Sequence, residues 1–259
     1  MDTLLYDCTE KVATITFNRP NVLNAFSDEV RAALLDRLLA IESDDTVRCV
    51  VLTGTGKAFS AGGDVPNMVA LQGANDVETI PRRIGMASDV MQTIARLPKP
   101  VIAAVNGAAA GGGMSLALGC DMRFGSTKAF FSSAFVKIGL IPDWGGFHAL
   151  PQLVGSAKAM ELMMTGDRVP AEEALALGML NRVIEADAFM DTTQKFAARL
   201  AAGPAAALAQ TKVGVQLGQK SSLADVFDFE KRTQTRLFLE DDAREGMRAF
   251  VEKRAPKFG

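Results

Sequence analysis

The stretch from Val101 to Cys120 reads VIAAVNGAAAGGGMSLALGC, and the predicted fold is organised around it. It begins with the apolar run Val101–Val105, which is typical of a buried strand, and passes through Gly111-Gly112-Gly113 into a short helix of small residues. A strand that leads through glycines into a helix leaves several backbone N–H groups without intrahelical acceptors, all directed to one point. We therefore expect this point to bind an anion or a developing oxyanion.

Two simpler interpretations of the same stretch compete with an anion site. It contains no charged residue over about the length of a membrane span, and Gly107 and Gly111 have the GxxxG spacing of packed membrane helices. Its five glycines and Asn106 dilute the hydrophobicity, so we expect no membrane span. The glycines could also serve only to pack a helix tightly on a sheet, and the glycine count alone favours that interpretation.

The composition predicts a globular protein that binds neither nucleic acid nor a membrane. The chain has 259 residues, 48% of them hydrophobic, with 28 basic and 30 acidic residues, and this balance argues against a nucleic-acid footprint. Cys8, Cys49 and Cys120 form no CxxC pair, and they are expected to be buried, reduced thiols. With a single histidine, no metal site is expected. The N-terminal MDTLLYDCTEK has no signal-peptide pattern, so a cytoplasmic location is expected.

Strands and helices alternate along the first two thirds of the chain, which predicts an α/β fold with helices outside a sheet. Strands are expected over residues 12–17, 49–53, 101–105, 122–124 and 180–184. A first helix is expected to begin after Ser27, and further helices are expected over residues 84–97, 114–118, 156–165 and 171–177. The segment after Asp64, which contains Gly73 and Pro81, is expected to be loose up to the helix that begins near Ile84. From Asp187 onward the pattern is helical throughout, so we divide the chain into a core, residues 1–186, and a helical oligomerisation subdomain, residues 187–259.

Three segments together resemble the crotonase family, also called the enoyl-CoA hydratase/isomerase superfamily. They are KAFSAGGD at 57–64, NGAAAGGG at 106–113 and IGLIPDWGG at 138–146. The resemblance implies a crotonase-like spiral of ββα units with a C-terminal helical trimerisation region, assembled as a homotrimer or a dimer of trimers. It also implies an acyl-CoA thioester substrate, with coenzyme A as part of the substrate and no further cofactor.

The resemblance assigns the two oxyanion-hole donors to the backbone N–H groups of Ala61 and Gly112. Such donors are strongest where a thioester oxygen gains charge as a proton leaves the neighbouring carbon. Other positions are expected to bind the substrate or its CoA, with Phe250 and Lys253 reaching the CoA of a neighbouring subunit. These positions are Leu23, Ala25, Lys57, Gly62, Gly63, Asp64, Gly111, Ser115, Phe135, Trp144, Phe250 and Lys253.

The sequence departs from the hydratases of the family at both of their catalytic glutamates. The matching positions are Ser115 and Phe135, neither of which can transfer a proton to C2 while activating water. Asp143 remains as the predicted base, with a pKa raised by surrounding aromatic residues. The pattern around it is closest to the ring-epoxide isomerases of phenylacetate catabolism and related enoyl-CoA isomerases, in which one aspartate shuttles a proton.

Several alternatives stay open at this point. Asp143 could instead cap a helix, and Asp64 is expected to be a structural cap rather than a base. His148 is expected to be a packed or surface residue. An isomerase that shifts a double bond is favoured over a hydratase-type lyase, a thioester hydrolase, a dehalogenase-like displacement by Asp143, or a non-catalytic CoA binder.

Overall fold

The computed structural model describes residues 2–259, which form ten strands and ten α-helices. The strands are β1 (Leu4–Thr9), β2 (Val12–Phe17), β3 (Cys49–Gly54), β4 (Ala58–Ser60), β5 (Val101–Val105), β6 (Ala108–Ala110), β7 (Met122–Ser126), β8 (Phe130–Ser132), β9 (Arg168–Pro170) and β10 (Arg182–Ile184). The helices are α1 (Asp28–Glu42), α2 (Val65–Gly73), α3 (Thr79–Arg96), α4 (Gly112–Leu118), α5 (Gly146–Thr165), α6 (Ala171–Ala176), α7 (Phe189–Ala201), α8 (Ala205–Gly218), α9 (Leu223–Phe238) and α10 (Asp241–Val251).

Two sheets build the core, where the sequence predicts one sheet, and the mixed α/β class is as expected. The larger sheet has the strand order β1-β2-β3-β5-β7-β10, with all pairs parallel except the β1–β2 hairpin. The smaller sheet has the order β4-β6-β8-β9, in which only β9 is antiparallel. The short connections from β3 to β4, from β5 to β6 and from β7 to β8 carry the chain repeatedly from the larger sheet to the smaller one, which makes the crotonase-like spiral.

Helix α1 shows how local sequence and burial agree. The Ser27 side chain accepts a hydrogen bond from the Val30 N–H. Asp28 lies in the first turn, where the positive end of the helix dipole stabilises its negative charge. The residues Val30, Leu34, Leu38 and Ile41 recur every three or four positions and are all buried against the larger sheet.

The structure differs from the prediction in several places. None of the three-residue strands of the smaller sheet, β4, β6, β8 and β9, has a counterpart in the prediction. Strand β1 has no counterpart in the prediction, because its residues are mostly exposed at the sheet edge and lack an apolar pattern. The segment expected to be loose forms α2 and the start of α3; Pro81 fits the first turn of α3, where an N–H has no intrahelical acceptor. The helix expected over 156–165 is the second half of α5, divided from the first half by the non-helical Gly155. Cys8 is exposed, although all three thiols were expected to be buried.

The far side of the larger sheet is covered by α7. Phe189, Ala197 and Ala201 of this helix join Val51, Phe124 and their neighbours in a second apolar cluster. Helix α7, the first helix of the predicted oligomerisation subdomain, is thus packed as part of the core. The division of the chain into a core and an oligomerisation subdomain at residue 187 stays a prediction. None of the helices within residues 2–259 combines the length and apolar character needed to cross a membrane.

Helix α8 is attached to the core by a largely buried ion pair. The Lys212 ammonium lies 2.9 Å from Oδ2 of Asp121 and donates to the Ile94 carbonyl at 2.7 Å. The same Asp121 oxygen accepts from the Val101 N–H at the start of β5. Burial raises the pKa of Asp121, and the nearby Lys212 charge opposes that rise.

We predict that Lys212→Met lowers the free energy of unfolding by about 3–5 kcal/mol, because it leaves a buried carboxylate without its cation. Urea unfolding followed by circular dichroism measures this change. Lys195→Met is the matched control, since Lys195 pairs with Asp191 on the exposed surface of α7 and its loss should cost less than about 1 kcal/mol. Equal effects of the two substitutions would contradict the prediction.

Candidate active site

Parallel pairing of β4 with β6 places two glycine turns side by side. Ala58 is in register with Ala108, and the chain leaves both strands at the same edge of the smaller sheet. The contact is close at Gly62, which has a φ of +87° and where a Cβ atom would lie 2.7 Å from the Ala110 carbonyl oxygen and 2.9 Å from the Gly112 nitrogen. Only a glycine fits at this position, so the two turns meet through backbone alone.

The meeting turns present backbone N–H groups without acceptors. Gly112 is the first residue of α4, so its amide has no intrahelical acceptor. The Gly63 amide likewise donates to no acceptor within residues 2–259. Two such amides beside each other can hold a developing oxyanion.

The assignment of Ala61 as an oxyanion donor is wrong. Its N–H already donates to the Leu23 carbonyl at 2.9 Å, and the next amide, that of Gly62, donates to Oγ of Ser60 at 3.1 Å. The amide without an acceptor on this turn is that of Gly63, two residues after Ala61. Sequence reasoning identified the turn, but the hydrogen bonds that occupy its neighbouring amides depend on the folded chain.

Trp144 closes one side of the site. Its indole lies directly on Gly112, where an added Cβ would be 2.9 Å from Cδ1, and it packs against Phe26 with 4.8 Å between ring centroids. The residue is buried and has a φ of +51°, an uncommon conformation for a bulky side chain. Such strain persists only where the surroundings enforce it, and it often occurs at functional sites.

Asp143 precedes Trp144 and carries an unusually placed carboxylate. Its Oδ1 atom is buried and has no hydrogen-bond partner within residues 2–259. Burial raises the pKa of Asp143 to about 6, while the charge of Arg31 and the residue's own backbone N–H act in the opposite direction. The residue is not the helix cap considered from the sequence, because α5 begins after Gly145. A carboxyl group with this pKa can accept and return a proton near neutral pH.

Ser115 and Phe135, the positions at which the resemblance predicts hydratase glutamates, also lie at the site. Ser115, in the second turn of α4, is almost fully buried, and its Oγ would be 2.7 Å from a Cβ added at Gly146. The Phe135 ring lies near Gly111, with Cζ 3.9 Å from a Cβ position there. The structure therefore brings both predicted residues to the glycine turns, and neither supplies a carboxylate.

Asp64 has the structural role expected for it. Its side chain accepts from the Asn67 N–H at the start of α2 and forms an ion pair with Arg19 at 3.0 Å. Arg19 in turn donates to the Ala25 carbonyl at 2.7 Å, so the pair also fixes the turn that carries Leu23 and Ala25. Leu23 lies exposed with a φ of +52°, and its carbonyl accepts the Ala61 amide.

The remaining predicted residues lie at the surface. Lys57 is exposed beside the first glycine turn, and His148 is exposed on α5, within hydrogen-bonding distance of Gln152. Phe250 is 85% exposed on α10, which packs against α9. The expected reach of Phe250 and Lys253 to the CoA of a neighbouring copy stays a prediction.

Arg31 is a site residue that the sequence interpretation missed. It is only 8% exposed and donates to the Phe26 carbonyl at 2.8 Å. Burial lowers its pKa, and Asp143 is among the carboxylates whose charge opposes that shift. One signal was available in the sequence, because Arg31 falls on the apolar stripe of α1 with Leu34, Leu38 and Ile41.

Comparison with known proteins agrees with this geometry. The family model described as enoyl-CoA hydratase/isomerase matches residues 7–259. The chain belongs to the enoyl-CoA hydratase/isomerase family. It is 40% identical to the 1,2-epoxyphenylacetyl-CoA isomerase of Escherichia coli K12, over 100% of this chain and 98% of that protein.

Two further relatives and one solved structure extend the comparison. The chain is 34% identical to a trans-2-decenoyl-[acyl-carrier-protein] isomerase of Streptococcus mutans, over 98% of this chain and 97% of the relative. It is 39% identical to a probable enoyl-CoA hydratase of Rhodobacter capsulatus, over 99% and 97%. A solved enoyl-CoA hydratase/isomerase from Mycobacterium abscessus, described as putative, superposes with a TM-score of 0.95 at 32% identity, over 99% of both chains. The crotonase-like fold expected from the sequence is thereby confirmed.

We predict that Gly112→Ala displaces the indole and lowers kcat/KM for an acyl-CoA substrate by about 10²-fold, because the alanine N–H is retained but the turn that carries it is moved out of position. Trp144 is the single tryptophan of the chain, so its fluorescence reports the displacement directly. Gly85→Ala is the matched control, because Gly85 lies exposed in α3 with nothing within 4 Å of the added methyl group. Unchanged fluorescence and activity in Gly112→Ala would contradict this description of the site.

Proposed function

We propose that this enoyl-CoA hydratase/isomerase family member is an isomerase that shifts a double bond in an acyl-CoA thioester. Asp143 is the observation that carries the proposal, because it is a part-buried carboxylate with a pKa of about 6, and it directly precedes Trp144, whose indole lies on Gly112. Ser115 and Phe135, at the two hydratase glutamate positions, cannot replace it as acids or bases. The site thus offers one group for proton transfer.

The reaction that we propose needs only that one group. The thioester oxygen accepts hydrogen bonds from the amides of Gly63 and Gly112, which stabilise the negative charge formed when a proton leaves C2. Asp143 takes that proton and returns it to C4, so that a 3-enoyl thioester becomes a 2-enoyl thioester. Water addition would require a second group to activate the water, whereas the allylic shift does not.

The printed names of two relatives support this choice. The relatives from Escherichia coli and Streptococcus mutans are both named isomerases, of an epoxyphenylacetyl-CoA and of a decenoyl-[acyl-carrier-protein] respectively. A ring-epoxide rearrangement is therefore included in the proposal beside the shift of a chain double bond.

A hydratase is the second candidate, because other relatives of similar identity are named hydratases. It predicts incorporation of ¹⁸O from labelled water into a 3-hydroxyacyl-CoA product. Hydrolysis of the thioester would instead release free CoA. A displacement with Asp143 as nucleophile would leave an acyl-aspartate that mass spectrometry detects in a single turnover.

We predict that Asp143→Asn reduces isomerisation of a 3-enoyl-CoA by at least about 10²-fold, because the amide cannot take the C2 proton. Exchange of the C2 proton for deuterium, followed by NMR, should be lost while CoA binding survives. In the wild-type protein, kcat/KM should fall about tenfold per pH unit below about pH 6, since Asp143 is then protonated and inactive as a base.

Asp167→Asn is the control, since Asp167 is an exposed aspartate outside the site and should leave the exchange rate unchanged. Retained C2 exchange in Asp143→Asn would rule out Asp143 as the base. A flat pH profile between pH 5 and 8 would also contradict its role.

Assembly into a homotrimer or a dimer of trimers is part of the proposal. The helices α9 and α10 expose a set of large apolar side chains, which a neighbouring copy could cover. They are Leu223, Phe227, Phe238, Met247, Phe250 and Val251. Analytical ultracentrifugation should show three or six copies, and a monomer at micromolar concentration would contradict this. The cytoplasmic location and the lack of nucleic-acid, membrane and further cofactor binding stay predictions.

A further inference from the structure

The loop between β2 and α1, residues 18–27, lies along the first glycine turn, residues 61–64, and is hydrogen-bonded to it. The Phe26 N–H donates to the Gly62 carbonyl at 2.7 Å. Phe26 and Gly63 also pair as an isolated parallel bridge, so the two segments run side by side like neighbouring strands. The conformation of the glycine turn is therefore set in part by the loop beside it.

The hydrogen bond between Phe26 and Gly62 fixes the direction of the free Gly63 amide. The Gly62 carbonyl and the Gly63 N–H belong to one peptide group, which is planar and trans, so the two point in opposite directions. Because the carbonyl points to Phe26, the Gly63 N–H points away from the loop, and it has no acceptor within residues 2–259. A shift of the Phe26 N–H would therefore turn the Gly63 donor.

Arg19 begins the chain of hydrogen bonds that ends at this amide. Its Nη1 donates to the Ala25 carbonyl at 2.7 Å, and this carbonyl shares a peptide group with the Phe26 N–H. The Phe26 N–H in turn donates to the Gly62 carbonyl, also at 2.7 Å. Two peptide groups thus separate a guanidinium cation from the Gly63 N–H. A charged donor at one end polarises such a chain and makes the last N–H a stronger donor.

The Arg19 side chain is held in place from both segments. The Arg19 N–H donates to Oδ1 of Asn24, and the Asn24 N–H donates to the Arg19 carbonyl, both at 2.9 Å. Nη2 of Arg19 pairs at 3.0 Å with the carboxylate of Asp64, the residue after Gly63. The two arms of one planar guanidinium therefore contact Ala25 in the loop and Asp64 in the glycine turn. A lysine ammonium does not offer this fixed fork.

We propose that Arg19 is a positioning residue of the oxyanion site, which orients and polarises the Gly63 N–H through the two peptide groups between them. Arg19 acts through Gly63 and not on the substrate itself. This inference rests on the proposed function in one respect, namely that the thioester oxygen of an acyl-CoA accepts a hydrogen bond from Gly63.

The test first measures the hydrogen bonds to the thioester oxygen in a complex that cannot isomerise. Hexanoyl-CoA labelled with ¹³C at its carbonyl has no double bond to shift, and isotope-edited infrared difference spectroscopy gives its C=O stretching frequency. Stronger donors lower this frequency, so the thioester bound to the wild-type protein should absorb below the same thioester in water. Arg19→Met should remove about 20–60% of that lowering, since two cooperative hydrogen bonds contribute about 10–30% each.

Kinetics then separate positioning from substrate binding. Arg19→Met should lower kcat for C2 exchange of a 3-enoyl-CoA by about tenfold, less than the loss of a whole oxyanion donor. KM should change by less than about threefold, because the Gly63 contact is strongest when the thioester oxygen carries charge. Arg19→Lys, which keeps the cation without the fork, should give intermediate values and provides a second variant if the first is unstable.

Arg48→Met is the matched control for these measurements. Arg48 is also half-buried and donates to two backbone carbonyls, those of Gly203 and Gly259, which lie outside the site. The substitution should leave the C=O frequency and kcat unchanged.

The other outcomes separate this inference from the proposed function. A C=O frequency that is the same in the wild-type protein and in both Arg19 variants would overturn the inference, as would equal changes in Arg48→Met. A rise in KM without a fall in kcat would assign Arg19 to substrate binding and would also overturn it. If hexanoyl-CoA does not bind to the wild-type protein, or binds without a lowered frequency, the oxyanion site fails and this inference with it. A frequency that depends on Arg19, together with no C2 exchange in the wild-type protein, would support the inference and contradict only the proposed isomerisation.

Discussion

The close contact between the two glycine turns is the constraint on which the rest of the site depends. The turns follow β4 and β6, and parallel pairing of these short strands holds them at one edge of the smaller sheet. At Gly62 the opposing backbone is closer than any side chain would allow. The contact places the free amides of Gly63 and Gly112 together, and α4 adds the positive end of its dipole. The capacity of the site to stabilise an oxyanion therefore lies in the backbone path rather than in side chains.

Placing a carboxylate beside this backbone site has a cost in stability. Burial raises the pKa of Asp143 to about 6, so the folded chain binds a proton more tightly than the unfolded chain does. Asp143 therefore contributes least to stability above about pH 6, where it is ionised in both states, and the penalty disappears below about pH 4. The same desolvation gives the group a pKa suited to proton transfer near neutral pH.

Much of the fold and part of the site could be predicted from the sequence. The strands β2, β3 and β5 are continuous apolar or alternating runs, so their periodicity indicates them without tertiary information. Strand β1 and helix α2 were missed because their side chains are largely exposed and carry no such pattern. The strands of the smaller sheet, β4, β6, β8 and β9, were also missed, because three residues are too few to show a periodicity. Asp143 was identified from the sequence because it is the one carboxylate in the segment 138–146. The resemblance also predicts that Ser115 and Phe135 replace the two hydratase glutamates.

The sequence by itself determined the family, the glycine turns and the single candidate base, because these depend on local backbone needs and on residue types at fixed spacing. Only the tertiary structure decided which amides remain free, since the Leu23 carbonyl that occupies Ala61 comes from a distant turn. It also decided that Arg31 is buried and that its charge lowers the pKa of Asp143 against the effect of burial. Burial and charge pairing are properties of segments that meet only when the chain folds, and no local pattern encodes them.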